Sequence, residues 1–372
     1  MKRTITTRIG LLVAMLLTIL PMSAYDFEVD GIYYEVTSFT DLTCKVVSGD
    51  NKYEGDVTIP SEVFYNSRTL KVTEIEDEAF YNCKSLTSVV IPDSVTKIGY
   101  YAFDECSSLT SVVIPDSVTE IGKFAFMRCR SLTSVVIPDS VTKIESMAFL
   151  DCSSLTSIVI GNSVTEIGSY AFAGCSSLTS VVIPNSVTEI ESKAFLKCTS
   201  LTSIVISYSM VELQINVELN KESFDKSVIE NLMIDRELNK SLSLPSLKEL
   251  TLGEHVTKVQ IDPTKAEALE SITCYAQEPP TCPEFTNAQY LNTVVKVPNV
   301  SLEKYQQADG WKNFWNLEGF DAGESAVDEV MVDESIREIG RYDINGKSVD
   351  ADYNGIVIVR YSDGTTKKIL NK

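Results

Sequence analysis

The sequence predicts a strand-dominated α/β solenoid, a stack of 23-residue coils with a parallel sheet along one side. Three columns of identical residues predict it. Leu86, Leu109, Leu132, Leu155, Leu178 and Leu201 recur every 23 residues. So do Ile75, Ile98, Ile121, Ile144, Ile167 and Ile190. Phe80, Phe103, Phe126, Phe149, Phe172 and Phe195 keep the same step, each with an alanine just before it. One such unit is too small to bury its apolar face, whereas stacked units build a continuous core.

Within one unit, Leu86, Val89 and Ile91 follow the L-x-x-L-x-L pattern of a leucine-rich repeat. The β-branched run Val89 to Ile91 suits a short strand. Pro92-Asp93-Ser94 ends it, because proline has no N–H for a ladder and Asp and Ser favour turns. Val95 and Ile98 return to the core, Gly99 opens a turn, and the spacing of Ala102, Phe103 and Cys106 predicts a short helical piece packed inward.

The array is predicted to span 57–320, regular over 75–206, irregular over 207–262 and closing with a cap over 263–320. Ile59-Pro60 and Val72 to Ile75 match the unit with nine extra residues between them. Ile229-x-x-Leu232-x-Ile234, Leu247-x-x-Leu250-x-Leu252 and Leu269-x-x-Ile272-x-Cys274 keep the strand pattern. The step of 46 from Leu201 to Leu247 predicts one degenerate unit between them. Val295 to Pro298 reads as the last strand. Solenoid ends need covering, since open strand edges recruit other chains. Residues 25–56, with Phe27, Ile32, Tyr33 and Tyr34, read as the N-terminal cap. Tyr305, Trp311, Phe314 and Trp315 read as an aromatic C-terminal cap on a short helix. Residues 321–325 read as a linker and 326–372 as a separate small β unit.

Residues 1–24 read as a secretory signal: Lys2, Arg3 and Arg8, then a short apolar run from Ile9 to Leu20, then Met22-Ser23-Ala24 before the cut. The run is shorter than the ~20 apolar residues of a membrane span. No membrane span is expected in the chain, and its location is expected to be extracellular or on the outer cell surface. The formal charge is −20, and removing the signal takes away three cations and no acid, leaving −23. Such a surface repels nucleic acid and anionic lipid, so neither is an expected partner.

Cys83, Cys106, Cys129, Cys152, Cys175 and Cys198 occur once per unit. Equivalent Cβ atoms in stacked strands lie about 4.8 Å apart, beyond the roughly 3.5–4.5 Å of a disulfide. They read as a ladder of buried free thiols packing as small hydrophobes, with Cys44 and Cys282 left unassigned. No C-x-x-C pair or histidine partner suggests a metal. His255, the single histidine, falls in the turn column of Ser94, with no triad partner evident. No catalytic, cofactor-binding or metal-binding residue is identified, and an enzyme is not expected.

The outward strand residues are the candidate partner face: Thr87, Ser88, Val90, Thr110, Ser111, Val113, Thr133, Ser134 and Val136. A small-molecule pocket needs several different groups converging, whereas a uniform ribbon suits an extended or repetitive partner. A solvated sheet face with no partner is the plainer reading. Tyr208, Met210 and Phe224 interrupt the repeat and form a candidate specificity region. Glu74, Lys97, Glu120, Lys143, Glu166 and Glu189 form a column alternating in sign until its last step, which reads as register-setting surface pairs. Asp93, Asp116, Asp139, Asn162 and Asn185 form a turn column without the ligand density of a calcium site.

The unit Ser-Leu-Thr-Ser-Val-Val-Ile-Pro-Asp-Ser-Val-Thr-Lys-Ile-Gly…Ala-Phe…Cys resembles the BspA-type leucine-rich repeats of bacterial surface proteins, over roughly 57–320. That resemblance implies a secreted or surface-attached scaffold binding a protein or glycan partner in the manner of an adhesin, with host matrix or another bacterial surface as target. The rival reading is a structural or glycosylated surface coat without a specific ligand. Tyr342 to Lys347, Gly355 to Arg360 and Lys367-Lys368 are similar to the C-terminal sorting domain of type IX secretion. Asp93-Ser94-Val95, Asp116-Ser117-Val118 and Asp139-Ser140-Val141 resemble the O-glycosylation sites of bacteria with that secretion system, which makes Ser94, Ser117 and Ser140 candidate modification sites.

Overall fold

The computed structural model describes residues 25–206, 218–219, 229–238 and 241–321, together with three later strands. Within them the chain winds as a strand-dominated solenoid whose coils stack in parallel register. The front sheet begins with β4 (Gly55–Thr58) and continues through Leu86–Val90, Ser111–Val113, Ser134–Val136, Ser157–Val159, Ser180–Ile183 and Ser203–Ile206. It goes on through Asn231–Ile234, Glu249–Leu252, Ser271–Cys274, Val294–Pro298 and Asn316–Phe320. A second, narrower ladder of two-residue strands runs beside it: Lys97–Ile98, Glu120–Ile121, Lys143–Ile144, Glu166–Ile167 and Glu189–Ile190.

The 23-residue step is the hydrogen-bond register itself. Ser88 pairs with Ser111, Ser134 with Ser157, and Ser180 with Ser203. Leu86, Val89 and Ile91 and their equivalents turn inward with the alanine, phenylalanine and cysteine of the turn, and all are buried. The phenylalanines stack face to face from Phe80 to Phe195, with centroids 4.8–5.4 Å apart and ring planes within 18°. Each ring therefore packs against equivalent rings above and below, which ties core packing to equal coil length.

Threonine hydroxyls reinforce the backbone ladders. Thr110, Thr133 and Thr156 donate Oγ1 to the threonine carbonyl one coil earlier, at 3.1, 3.4 and 3.0 Å. Thr119, Thr165 and Thr188 do the same beside the second ladder, at 3.1–3.3 Å. Cysteine acts similarly in the core: Cys106, Cys129, Cys152, Cys175 and Cys198 place Sγ 3.1–3.3 Å from the phenylalanine carbonyl of the coil before. Burial pushes the Cys198 thiol up to about 12 and those of Cys129 and Cys175 well above the ordinary range.

The helical piece expected around Ala102, Phe103 and Cys106 does not form; two tight turns stand in its place. Ala79 and Cys83 donate within the coil to Glu76 and Phe80, while the alternate amides of Phe80 and Asn82 donate to Ala102 and Asp104 of the next coil. A helix would keep all these bonds inside one coil and leave the stack unjoined. The alternation puts two positions of each coil at positive φ, such as Glu78 and Asn82, then Tyr101 and Glu105.

The ends also differ in detail. The nine extra residues after Ile59-Pro60 are taken up in a hairpin of β5 (Glu62–Tyr65) with the first half of β6 (Arg68–Ile75), whose second half is the matched Val72 to Ile75. At the N-terminus, β1 (Phe27–Val29), β2 (Ile32–Ser38) and β3 (Thr43–Val47) make an antiparallel sheet, and β3 pairs in parallel with β6. The degenerate unit lies where expected, but the step of 46 divides unevenly: Ser203 pairs with Asn231, 28 residues on, and Asn231 with Glu249, 18 residues on. Val294–Pro298 is not the last strand; Asn316–Phe320 adds beside it in parallel after the helices α1 (Asn287–Asn292) and α2 (Leu302–Gln307). Tyr305 and Trp311 fill the C-terminal core, with Tyr305 Oη donating to Ala276 and Trp311 Nε1 to Pro280. Trp315, expected in that cap, is instead 78% exposed. Glu338–Asp343, Gly355–Tyr361 and Thr366–Asn371 form a three-stranded antiparallel sheet.

All nine cysteines are free, and only Cys282 is less than fully buried. The folded chain should therefore expose at most one thiol to a thiol reagent, and the denatured, unreduced chain nine; fewer than six on denaturation would contradict the ladder. Phe126→Ala should open a gap between Phe103 and Phe149 and lower unfolding stability by about 3–5 kcal/mol, read from the denaturant midpoint.

Candidate functional site

The front face is built by alternation over the last three strand residues: Val89 turns in, and Ser88 and Val90 turn out, while Leu86 at the strand start is buried. Repeated in register, this sets a serine column beside a valine column. Val113, Val136, Val159 and Val182 remain 36–39% exposed. No charged side chain interrupts the outward strand positions from Ser88 to Val205, in a chain of charge −20. At the N-terminal end, Asp56 on β4 closes the serine column by accepting hydrogen bonds from Thr87 and Ser88 at 2.7 and 2.6 Å. These hydroxyls hold the Asp56 carboxyl below its usual range. At the other end, Val205, Met233 and Tyr275 gather into a buried outer cluster, with Phe320 packed on it.

The named face residues thus lie together as three parallel columns. Thr110 and Thr133 are spoken for as donors to the preceding coil, so Ser111, Ser134, Val113 and Val136 offer the free contact surface. Tyr208, Met210 and Phe224 lie outside the described residues. Ser94 is buried. Ser117 and Ser140 donate inward to Val95 and Val118, at 2.6 and 2.5 Å. A glycan on either oxygen would replace that hydrogen bond.

The charged column runs along the second ladder as a chain of pairs. Lys143 Nζ lies 2.6 Å from Glu166, and Lys97 Nζ 4.0 Å from Glu120. Glu166 then faces Glu189 in register. Its carboxyl is held above the ordinary range by burial first, then by its hydrogen bond with Glu191, with Lys143 opposing. His255 lies against Asp235, with Nδ1 3.2 Å from the carboxylate, and the His255 amide donates to the same oxygen. This is a turn closed by a buried acid. Among the described residues, no three His, Cys, Asp or Glu side chains converge as a metal site. No helix among them is long and apolar enough to cross a membrane.

Two features escape a reading by repeat consensus. One is the turn edge. Glu78, Tyr101, Phe124, Met147, Tyr170 and Lys193 occupy one positive-φ column, and no two neighbours agree. Tyr101 and Phe124 stack there at 4.5 Å, and Lys193 lies over Tyr170. Aligning the units by their invariant residues exposes this variation. The other is a cleft of about 390 Å³ between Val29–Tyr33 and β4. It depends on how the cap pairs, which the repeat does not encode.

The sequence pattern described as BspA type leucine rich repeat region matches six times, over 73–202, 119–244 and 165–277. Solved structures are similar at the level of chain course. A leucine-rich repeat protein from Bacteroides ovatus shares 21% identity, covers 80% of this chain and all of its own, and gives a TM-score of 0.41. A leucine rich cell surface protein from Faecalibacterium prausnitzii shares 22%, covers 81% of this chain and 96% of its own, with a TM-score of 0.41. The T. pallidum leucine rich repeat protein shares 26%, covers 65% and 94%, with a TM-score of 0.40. A comparison with curated proteins finds no match.

Proposed function

The chain belongs to the BspA-type leucine-rich repeat family, and from that premise we propose that it is an exported surface scaffold that holds a protein or glycan partner, as an adhesin does. One observation carries the reading: a charge-free ribbon of serine and valine columns lies along the sheet of an otherwise acidic chain. Contacts to such a ribbon are individually weak and repeat at each coil, which favours extended or multivalent targets. The irregular stretch 207–262, with Tyr208, Met210 and Phe224, supplies specificity, because it breaks the uniform pattern. Residues 1–24 direct export, the array of 57–320 between its caps displays the face, and 326–372 serve surface delivery. A glycan on Ser117 or Ser140, or on Ser94 once its buried hydroxyl is exposed, would decorate the turn that follows each front strand.

Location and binding are tested separately. Cell fractionation with surface proteolysis of the native source should find the chain, cut after Ala24, outside the cell and open to protease. Cells displaying the full chain should adhere to panels of immobilised matrix proteins and glycans. Val136→Lys with Val159→Lys should reduce that adhesion about tenfold with an unchanged melting temperature. Tyr208→Ala with Phe224→Ala should alter which surfaces are bound. A chain that adheres to nothing on the panels would favour the structural coat.

A further inference from the structure

The N-terminal cap closes only one of the two sheets. Strand β3 pairs with β6 and so extends the second ladder, through β1, β2, β3 and β6. The front sheet ends on β4, whose one partner among the described residues is Leu86–Val90. Backbone groups of a strand alternate sides. The amides of Gly55 and Ile59 donate toward that partner, to Ser85 and Val90. The amide and carbonyl groups of Asp56 and Thr58 therefore point the other way, into the cleft of about 390 Å³. No hydrogen bond among the described residues occupies them.

The opposite wall is the β1–β2 turn, Val29 to Tyr33, with Asp30 and Gly31 both at positive φ as a tight two-residue hairpin requires. The cleft is acidic. Asp30, Glu54 and Asp56 line it, and the one cation among the described residues that line it, Lys52, is drawn off to the Tyr81 carbonyl at 2.7 Å and to the Tyr81 ring. Unpaired strand edges bind extended peptides through the main chain, and alternate side chains supply selectivity.

We propose that this cleft takes an extended peptide with basic side chains at alternate positions, added as a strand beside β4 and continuing the front sheet. The occupant is a segment of another protein rather than a second copy, since a chain of charge −20 repels itself. The site shares Asp56 with the end of the serine column but none of the exposed valines, and its test alters neither. Its loss would leave that reading standing, and the reverse also holds.

The probe is a fluorescent octapeptide of alternating threonine and lysine, followed by anisotropy with the full chain. The glutamate counterpart is the control. The lysine peptide should bind, more weakly as salt rises, and the glutamate peptide about tenfold less tightly. Thr58→Pro removes one outward amide while sparing the bonds to Leu86–Val90, so it should weaken the lysine peptide about tenfold with an unchanged circular dichroism spectrum. Asp30→Asn with Glu54→Lys should reverse the preference toward the glutamate peptide, a gain that misfolding cannot produce. The proposal is overturned by no binding, by equal binding of both peptides, by binding indifferent to Thr58→Pro in a folded variant, or by self-association that excludes the peptide.

Discussion

The regular array depends on the hydrogen bonds that join each coil to the next, which repeat because every coil there has the same length of 23 residues. Strand amides, threonine hydroxyls, turn amides and cysteine thiols all reach a carbonyl of a neighbouring coil. The span differs with position, 22 residues at the turn amides, 23 at the threonines and 26 at the cysteines, but each span recurs coil after coil, so a coil of another length would be out of step on all sides at once. That shared constraint explains why Ile, Phe, Cys and Leu recur without drift from Ile75 to Leu201. A ring 5 Å from its copies can be replaced only by something that fills the same slot.

The same constraint sets what could be read from sequence. The parallel register, the inward columns and the free thiols follow from the repeat, because equivalent residues must stack. The turn around Ala102 and Phe103 did not follow. Its spacing fits a helix, but the inter-coil bonds from Phe80 to Ala102 and from Asn82 to Asp104 compete for the same amides and win. The uneven division of 203–249 was hidden because a total of 46 suits two equal coils. Asn316–Phe320 was missed because Glu318 and Gly319 carry no strand signal; the edge of Val294–Pro298 recruits it. The functional reading was legible in part: the uniform face is visible in the repeat, and the family follows from it.

Stacking also divides the surface by the freedom it allows. The sheet face repeats nearly unchanged from coil to coil. Diversity in side-chain type is greatest at the turn edge, where Tyr101, Phe124, Met147 and Tyr170 sit at φ values that only glycine takes without strain. Gly174 is the glycine in the companion column, so the strain is avoidable in this fold. A scaffold of this kind offers two sorts of surface: a long uniform ribbon for summed weak contacts, and an irregular margin where side chains differ from coil to coil.

The two ends then follow from a conflict within the stack. A solenoid with two ladders has two open edges at its start, and one short antiparallel sheet can pair with only one of them. Here it pairs with the second ladder, through β3 and β6. β3 runs parallel to β6, which the hairpin with β5 precedes, and β4 is left facing the turn at Asp30. Natural sheets protect open edges with charge, and Glu54, Asp56 and Asp30 place negative charge there. The same carboxylates that keep a like-charged copy away select a basic strand, so protection against self-pairing and preference for a partner come from one set of residues.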